Sequence, residues 1–166
     1  MSVSDLFLKM VDWSNGNRHD ISHFLKVHGF ARAIAESEQL SEKEQMIVET
    51  AALIHDIACP LCREKYGNTD GRLQEKEGVL LAERFLEGTG LDEDAVDRIV
   101  FLVGHHHTLK GIDGMDWQIL VEADYLVNAD ESGYSKANIE NMLETVFKTK
   151  TGKHLLRSIY LGRTDG

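Results

Sequence analysis

The chain has 166 residues, of which 42% are hydrophobic and 28% are charged, as in most soluble globular proteins of one domain. Its formal net charge is −10, and no basic stripe offsets the acidic residues, which argues against a nucleic-acid scaffold. No apolar run approaches the roughly 20 residues that cross a bilayer, and the N-terminus lacks a signal-peptide layout. We therefore expect a cytoplasmic protein without membrane contact.

Apolar spacing predicts helices along most of the chain. The first carries an apolar stripe at intervals of three and four residues, formed by Phe24, Val27, Ala31 and Ile34. A capping box at Ser41–Glu44 opens the next helix, which runs toward His55. Pro60 follows that helix where a stop is expected, and the turn-forming residues 66–71 then indicate a loop.

The second half of the chain continues the helical pattern. A helix is expected over about residues 73–86, a break follows at 88–90, and Asp92 can cap a further helix. After a loop at 110–114, amphipathic stretches lead through Trp117 and Tyr125 to C-terminal helices over 135–161. No alternating strand or linker interrupts them. We predict an all-α fold of a single domain spanning residues 1–166, with its motifs between about 18 and 128.

His55 and Asp56 are the most informative pair in the chain because they close the apolar run Ala51–Ile54. A neutral imidazole and an ionised carboxylate are both metal ligands, and burying both without a cation would be costly. Their position at the end of a buried helix therefore favours a metal site, provided that other segments supply more ligands.

Three further segments offer such ligands. His23 lies four residues before Val27, on the buried stripe, whereas His28 is about 140° further around the helix and cannot share a central position. His106 shares the inward face of the helix before it, while its neighbours point about 100° to either side. A histidine-rich helix end also suits imidazolium charge without any ligand, which is the alternative interpretation. We expect metal or substrate contact from at least one residue of 105–107.

The last candidate ligand is Asp124, three residues after Val121, on or beside a buried helix face where a carboxylate needs a partner. Glu122, on the same helix, fits a surface position better than Asp124 does. Asn128, on the same helix, is suited to orienting a ligand or a phosphate oxygen.

Three dispersed motifs, in the order H…HD…D, resemble those of the HD-domain superfamily of metal-dependent phosphohydrolases. His23-Phe-Leu-Lys26-Val27-His-Gly-Phe-Ala31 looks like that family's His-x-x-Arg-Val-x-x-x-Ala. His55-Asp56-Ile57 is similar to its His-Asp-Ile-Gly, and 122–126 to its Asp-Ala-Asp-x-Leu. The resemblance implies a helical bundle that binds a divalent ion of iron, manganese, cobalt, nickel or zinc through His23, His55, Asp56 and Asp124.

The resemblance also raises the question of a second ion. Two-metal members of the superfamily add histidines at places that fall near Gln74 and at the His105–His106 pair. Glutamine substitutes poorly for imidazole, which favours one ion. Several nucleotidase and alarmone-hydrolase relatives carry an acid where this chain has Cys59, and Glu75 and Glu77 are alternative sources of that carboxylate.

The function implied is hydrolysis of a small phosphorylated metabolite or nucleotide, as a monoester or a diester, by metal-activated water. Asp56 would be both a ligand and a proton acceptor, and His106 would orient the substrate or protonate the leaving oxygen. Five residues are candidates for contact with the substrate: Arg18, Lys26, His105, Lys110 and Asn128.

Two other functions stay open on the sequence. One is a metal-holding or ligand-holding sensor that uses the same HD fold without turnover, favoured by Gln74 and by the missing acid. The other is a thiol sensor built on Cys59 and Cys62, although a pair of ordinary reduced cysteines fits the motif better. A strip through Met142 and Phe147 either closes the core or pairs two copies of the chain as a homo-oligomer.

Overall fold

The computed structural model describes residues 1–162, which form helices joined by short turns. In chain order they are α1 Val3–Trp13, α2 Arg18–Ser37, α3 Glu42–Ile54, α4 Cys59–Tyr66, α5 Gly71–Leu86, α6 Glu93–Val103, α7 Met115–Glu131, α8 Lys136–Thr145, α9 Lys150–Leu156 and a π-helical turn Arg157–Leu161. Residues 1–162 contain no β-strand, so the predicted all-α single domain is confirmed.

Side-chain caps explain where several helices begin. The hydroxyl of Ser41 accepts a hydrogen bond from the Glu44 backbone while the Glu44 carboxylate accepts one from the Ser41 backbone, which is the predicted capping box. The Asp92 side chain caps α6, also as predicted. A second capping box at Ser2 opens α1, a helix that the apolar pattern did not predict.

The role expected of Pro60 was wrong. It does not stop a helix but lies in the first turn of α4, a helix placed in a stretch with no predicted element. Proline is tolerated there because its missing N–H would have no partner within the helix, and its fixed φ suits the first turn. The four-residue turn 55–58 separates α3 from α4, so His55 and Asp56 lie at a bend in the chain.

Helix α3 forms the centre of the bundle and packs against α1, α2, α6 and α7. Every residue from Ile47 to Ile54 is buried, so this helix has no solvent face over its last two turns. The segment Glu42–Tyr66 is apolar and long enough by composition to cross a membrane, yet 72% of its most apolar window is buried inside the protein, as in a core helix.

Two features of the C-terminal region correct or complete the sequence interpretation. Glu122 is completely buried rather than on the surface. Its carboxylate accepts hydrogen bonds from the Thr149 hydroxyl at 2.6 Å, the Gln118 amide at 2.6 Å and the backbone of Lys148 and Thr149. These hydrogen bonds therefore link the start of α9 to α7. Phe147 is also fully buried and closes the core.

Candidate metal centre

Four predicted ligands come together from three parts of the fold. His23 projects from the second turn of α2, His55 and Asp56 occupy the turn after α3, and Asp124 lies in the middle of α7. Helices α2 and α7 both pack on α3, which brings these positions to one point. The side chain of His55 is fully buried, and the side chains of His23 and Asp124 are 7% and 9% exposed.

The ligand atoms of these residues are separated by similar, short distances. His23 Nε2 lies 3.2 Å from His55 Nε2, 3.1 Å from Asp56 Oδ2 and 3.2 Å from Asp124 Oδ1. His55 Nε2 lies 3.4 Å from Asp56 Oδ2 and 3.3 Å from Asp124 Oδ1. Asp124 Oδ1 is buried without a hydrogen bond of acceptable geometry among the described residues.

The other ring nitrogen of each histidine is held by an acceptor. His55 Nδ1–H donates to the Ala52 carbonyl at 2.7 Å, and His23 Nδ1–H donates to Glu131 Oε2 at 2.9 Å. Since a carbonyl oxygen can only accept, the His55 tautomer is set by its surroundings, and in the neutral ring Nε2 presents a lone pair to the cluster. The two Nε2 atoms thus face each other and two carboxylates.

The charges of the cluster favour positive charge at its centre. Burial lowers the pKa of His23, but Asp124 and Asp56 outweigh it and raise that pKa to about 10. Burial likewise opposes charge on His55, yet the two carboxylates raise its pKa well above the usual range. In turn, the imidazoles hold the pKa values of both aspartates below their usual range, against the effect of burial.

This donor set fits a divalent cation. Atoms 3.1–3.4 Å apart are spaced as neighbouring ligands of one ion with bonds of about 2.0–2.2 Å. A cation would satisfy the Asp124 oxygen that lacks a hydrogen bond, and it would supply the positive charge that the two imidazoles otherwise take up as protons. Imidazole with carboxylate suits several first-row metals, so the donor set does not select one of them.

His106 and His107 extend the cluster on the other side of Asp56. His106 is buried, its Nδ1–H donates to the Val103 carbonyl at 2.8 Å, and its Nε2 lies 3.4 Å from Asp56 Oδ1 without a hydrogen bond. His107 completes a second set of metal-ligand atoms with Asp56 and His106, and its Nε2 lies 2.9 Å from Gln74 Oε1. The sequence had named His105, rather than His107, among the candidate substrate contacts.

That neighbour, His105, is turned away from the cluster. Its ring stacks on Phe101 with centroids 4.0 Å apart, and its Nδ1–H donates to the Phe101 carbonyl. It also lies against Trp117, at 5.6 Å between centroids. The structure does not bring this predicted substrate contact to the site, because the chain turns after Gly104 and the helical angle no longer applies.

The other predicted substrate contacts lie at different positions relative to the cluster and its cavities. Asn128 lines both of the cavities that contain Asp124 of the cluster. Lys26 instead pairs with Glu131, Nζ to Oε1 at 2.8 Å. Arg18 and Lys110 are exposed, and neither lines these two cavities in the described part of the chain.

One of these cavities, of about 260 Å³, is polar and opens directly onto His23, Asp56 and Asp124. It contains two functional candidates that the sequence did not reveal. Glu131 lies seven residues after Asp124, a helical spacing that could have indicated the shared face. Arg63 reaches the cavity from α4 and forms a two-fold ion pair with Asp20, and no local pattern signals it.

Glu75 and Glu77, the alternative sources of the missing acid, do not line the polar cavity. Glu75 accepts hydrogen bonds from the His107 backbone and the Thr108 hydroxyl, and Glu77 is held by Lys65 and Tyr66. Cys59 lines the polar cavity with a buried thiol. Burial raises the pKa of that thiol well above its usual range, which disfavours the reactive thiolate.

Comparison with known proteins agrees with the helical architecture and the motif order. A profile of the HD domain matches residues 20–143, about three quarters of the chain. The chain belongs to the HD-domain family. The fold is similar to the crystal structure of a predicted HD superfamily hydrolase from an uncultured Thermotogales bacterium. The TM-score is 0.69 at 23% identity, over 95% of this chain and 84% of that one. No curated protein matches the chain.

Proposed function

We propose that this protein is a metal-dependent phosphohydrolase that acts on a small phosphorylated metabolite or nucleotide, as a monoester or a diester. The observation that carries the proposal is the convergence of His23, His55, Asp56 and Asp124, with ligand atoms 3.1–3.4 Å apart, at the floor of a polar cavity. The expected partner is a small molecule met in the cytoplasm.

A bound divalent ion would supply Lewis acidity, lowering the pKa of water and offsetting negative charge on phosphoryl oxygens. The four residues of the cluster would hold it. Asp56 would also act as a proton acceptor, because its two oxygens face different neighbours. Its Oδ2 faces His23 and His55, whereas its Oδ1 faces His106. One carboxylate can thus serve as a ligand and accept the proton of the attacking water.

In this proposal His106 would protonate the leaving oxygen. Its Nδ1–H is occupied by the Val103 carbonyl, so proton exchange takes place at Nε2, 3.4 Å from Asp56 Oδ1. In the imidazolium form that nitrogen donates to the ester oxygen, and the ring is restored by the proton that Asp56 collects. Asn128 contributes a neutral amide at the border of both cavities, suited to a phosphate oxygen.

The test is phosphate release from a panel of phosphate esters by protein stripped of metal and then supplied with Mn²⁺, Fe²⁺ or another divalent ion. Asp56→Asn preserves the shape of the side chain and removes its charge, so we expect kcat to fall by roughly 10²–10⁴-fold. Asp97→Asn, at an exposed position on α6, is the matched control and should leave kcat within about twofold.

Metal-stimulated phosphate release that survives Asp56→Asn would contradict the assignment. Metal binding without turnover on any ester would instead favour the sensor that the sequence left open. The thiol sensor has its own test, because replacing Cys59 and Cys62 with serine should change neither the metal content nor the turnover.

A further inference from the structure

A cavity of about 510 Å³ lies away from the metal centre and is lined by residues of α1, α2 and α3. None of these residues lines either of the two cavities that contain Asp124. His28, about 140° around α2 from His23, is in its wall. We name this space the α1–α2 pocket. It is a separate site, and the proposed hydrolysis does not use it.

Three polar side chains of the α1–α2 pocket lie at different depths. The side chains of Glu49, His28 and Arg32 are 9%, 19% and 59% exposed, respectively. Leu25, His28 and Arg32 are spaced by three and four residues, so they share one face of α2. The Glu49 carboxylate, which comes from the central helix α3, therefore lies at the closed end of the pocket, and the Arg32 guanidinium lies at its mouth.

Glu49 is ionised and can accept further hydrogen bonds. It is the one charged residue in the buried run 47–54 of α3. Its Oε1 accepts a hydrogen bond from His28 Nε2–H at 2.8 Å, and its Oε2 accepts one from the Gln45 amide at 3.0 Å. Burial raises the pKa of Glu49, but these two partners outweigh it and hold that pKa below its usual range. Since a carboxylate can accept about four hydrogen bonds, two positions stay open to a positively charged donor among the described residues.

The mouth of the pocket offers the opposite charge beside an apolar wall. Arg32 donates its Nε–H to Glu36 Oε1 at 2.9 Å, and within the described part of the chain its two terminal nitrogens make no hydrogen bond. The N–H groups of a guanidinium fit the two oxygens of a carboxylate. The apolar wall is formed by Val3, Phe7 and Leu25, and Leu25 is 41% exposed. The pocket thus combines a buried anion, an open cation and an apolar surface.

We propose that the α1–α2 pocket binds a free amino acid with an apolar side chain, its ammonium group at Glu49 and its carboxylate at Arg32. A zwitterion matches both charges of the pocket, whereas a simple anion meets the Glu49 carboxylate and a simple amine leaves Arg32 unused. The net charge of −10 also disfavours a simple anion. The apolar side chain packs on Phe7 and Leu25 and removes apolar surface from water. This binding site is independent of the proposed function.

The first experiment is calorimetric titration of the wild-type protein with L-leucine and with two analogues that keep its apolar group. 3-Methylbutylamine lacks the carboxylate, and 4-methylpentanoate lacks the ammonium group. We expect a Kd below about 1 mM for L-leucine and values at least about tenfold higher for each analogue. An analogue that binds as tightly as L-leucine, or no saturable binding of L-leucine up to about 10 mM, would overturn the proposal.

The second experiment assigns the two charges to their residues. Arg32→Gln should weaken L-leucine binding about tenfold and leave the binding of 3-methylbutylamine unchanged, because the amine has no carboxylate. Arg84→Gln, at an exposed position on α5, is the matched control and should bind L-leucine as the wild type does. Glu49→Gln should weaken both ligands. Arg32 is exposed, so its variant decides the outcome even if Glu49→Gln fails to fold, and an unchanged Kd for L-leucine in folded Arg32→Gln would contradict the proposal.

A third measurement locates the bound amino acid, because amino acids also chelate metal ions. Asp124→Ala removes a ligand of the metal centre and should bind L-leucine with the Kd of the wild type. Saturation with L-leucine should shift the imidazole NMR signals of His28 and leave those of His23 unchanged. Loss of L-leucine binding in folded Asp124→Ala, or shifts at His23 alone, would place the amino acid at the metal centre and overturn the α1–α2 pocket as its site.

Discussion

Replacing Glu131 with alanine should weaken divalent-metal binding about 10- to 100-fold, which corresponds to roughly 1.4–2.7 kcal/mol. The reason is the hydrogen bond from His23 Nδ1–H to Glu131 Oε2, at 2.9 Å, which fixes the ring so that Nε2 faces the other ligands. Without that acceptor the His23 ring can rotate and loses basicity. Glu131→Gln keeps an acceptor oxygen and should lie near the lower end of the range.

The dissociation constant is obtained by competition between the protein and a chromogenic chelator for Mn²⁺ or Zn²⁺. Asp130→Asn removes a charge at the adjacent exposed position and serves as the control. Lys26→Met should change the constant by less than about threefold, because Lys26 is 45% exposed and contacts Glu131 rather than a ligand. If Glu131→Ala binds metal as tightly as the wild type and Asp130→Asn, the orienting role of this carboxylate is refuted.

Two glycines provide tests of packing around the site. A Cβ at Gly152 would overlap the Glu122 carboxylate and lie 2.7 Å from Thr149 Oγ1. Gly152→Ala should therefore lower the free energy of unfolding by about 1–3 kcal/mol. An unchanged midpoint of unfolding in urea would contradict this. A Cβ at Gly71 would lie 2.9 Å from His107 Cγ. Gly71→Ala should therefore shift the imidazole NMR signals of His107 and leave those of His23 unchanged. Unchanged His107 signals would contradict the contact.

Much of the helical bundle could be predicted because each signal was local. The apolar stripe around His23 and the position of Asp124 follow from the helical period, which reports the face on which a residue lies. The His55–Asp56 pair was marked by the apolar run before it. Pro60 shows the limit of such signals, since a proline after a helix fits both a stop and the first turn of another helix.

The features that were missed depend on contacts between distant segments. Glu122 was expected at the surface because no local pattern shows that Thr149 and its neighbours would surround the carboxylate, 27 residues away. The helical step of 100° placed His105 and His107 symmetrically about His106 and could not separate them, because the chain turns after the end of α6. The pairing of Arg63 with Asp20 spans 43 residues and likewise has no sequence signal.

The most direct test of the central claim is the metal content of tag-free wild-type protein beside Asp124→Ala, measured by elemental mass spectrometry after incubation with manganese or iron and removal of excess ion. Unfolding melts of both proteins establish that the variant is folded. We expect one tightly bound divalent ion per chain in the wild type and its loss in Asp124→Ala. Equal metal in the two folded proteins, or no metal in either, would contradict a centre formed by His23, His55, Asp56 and Asp124.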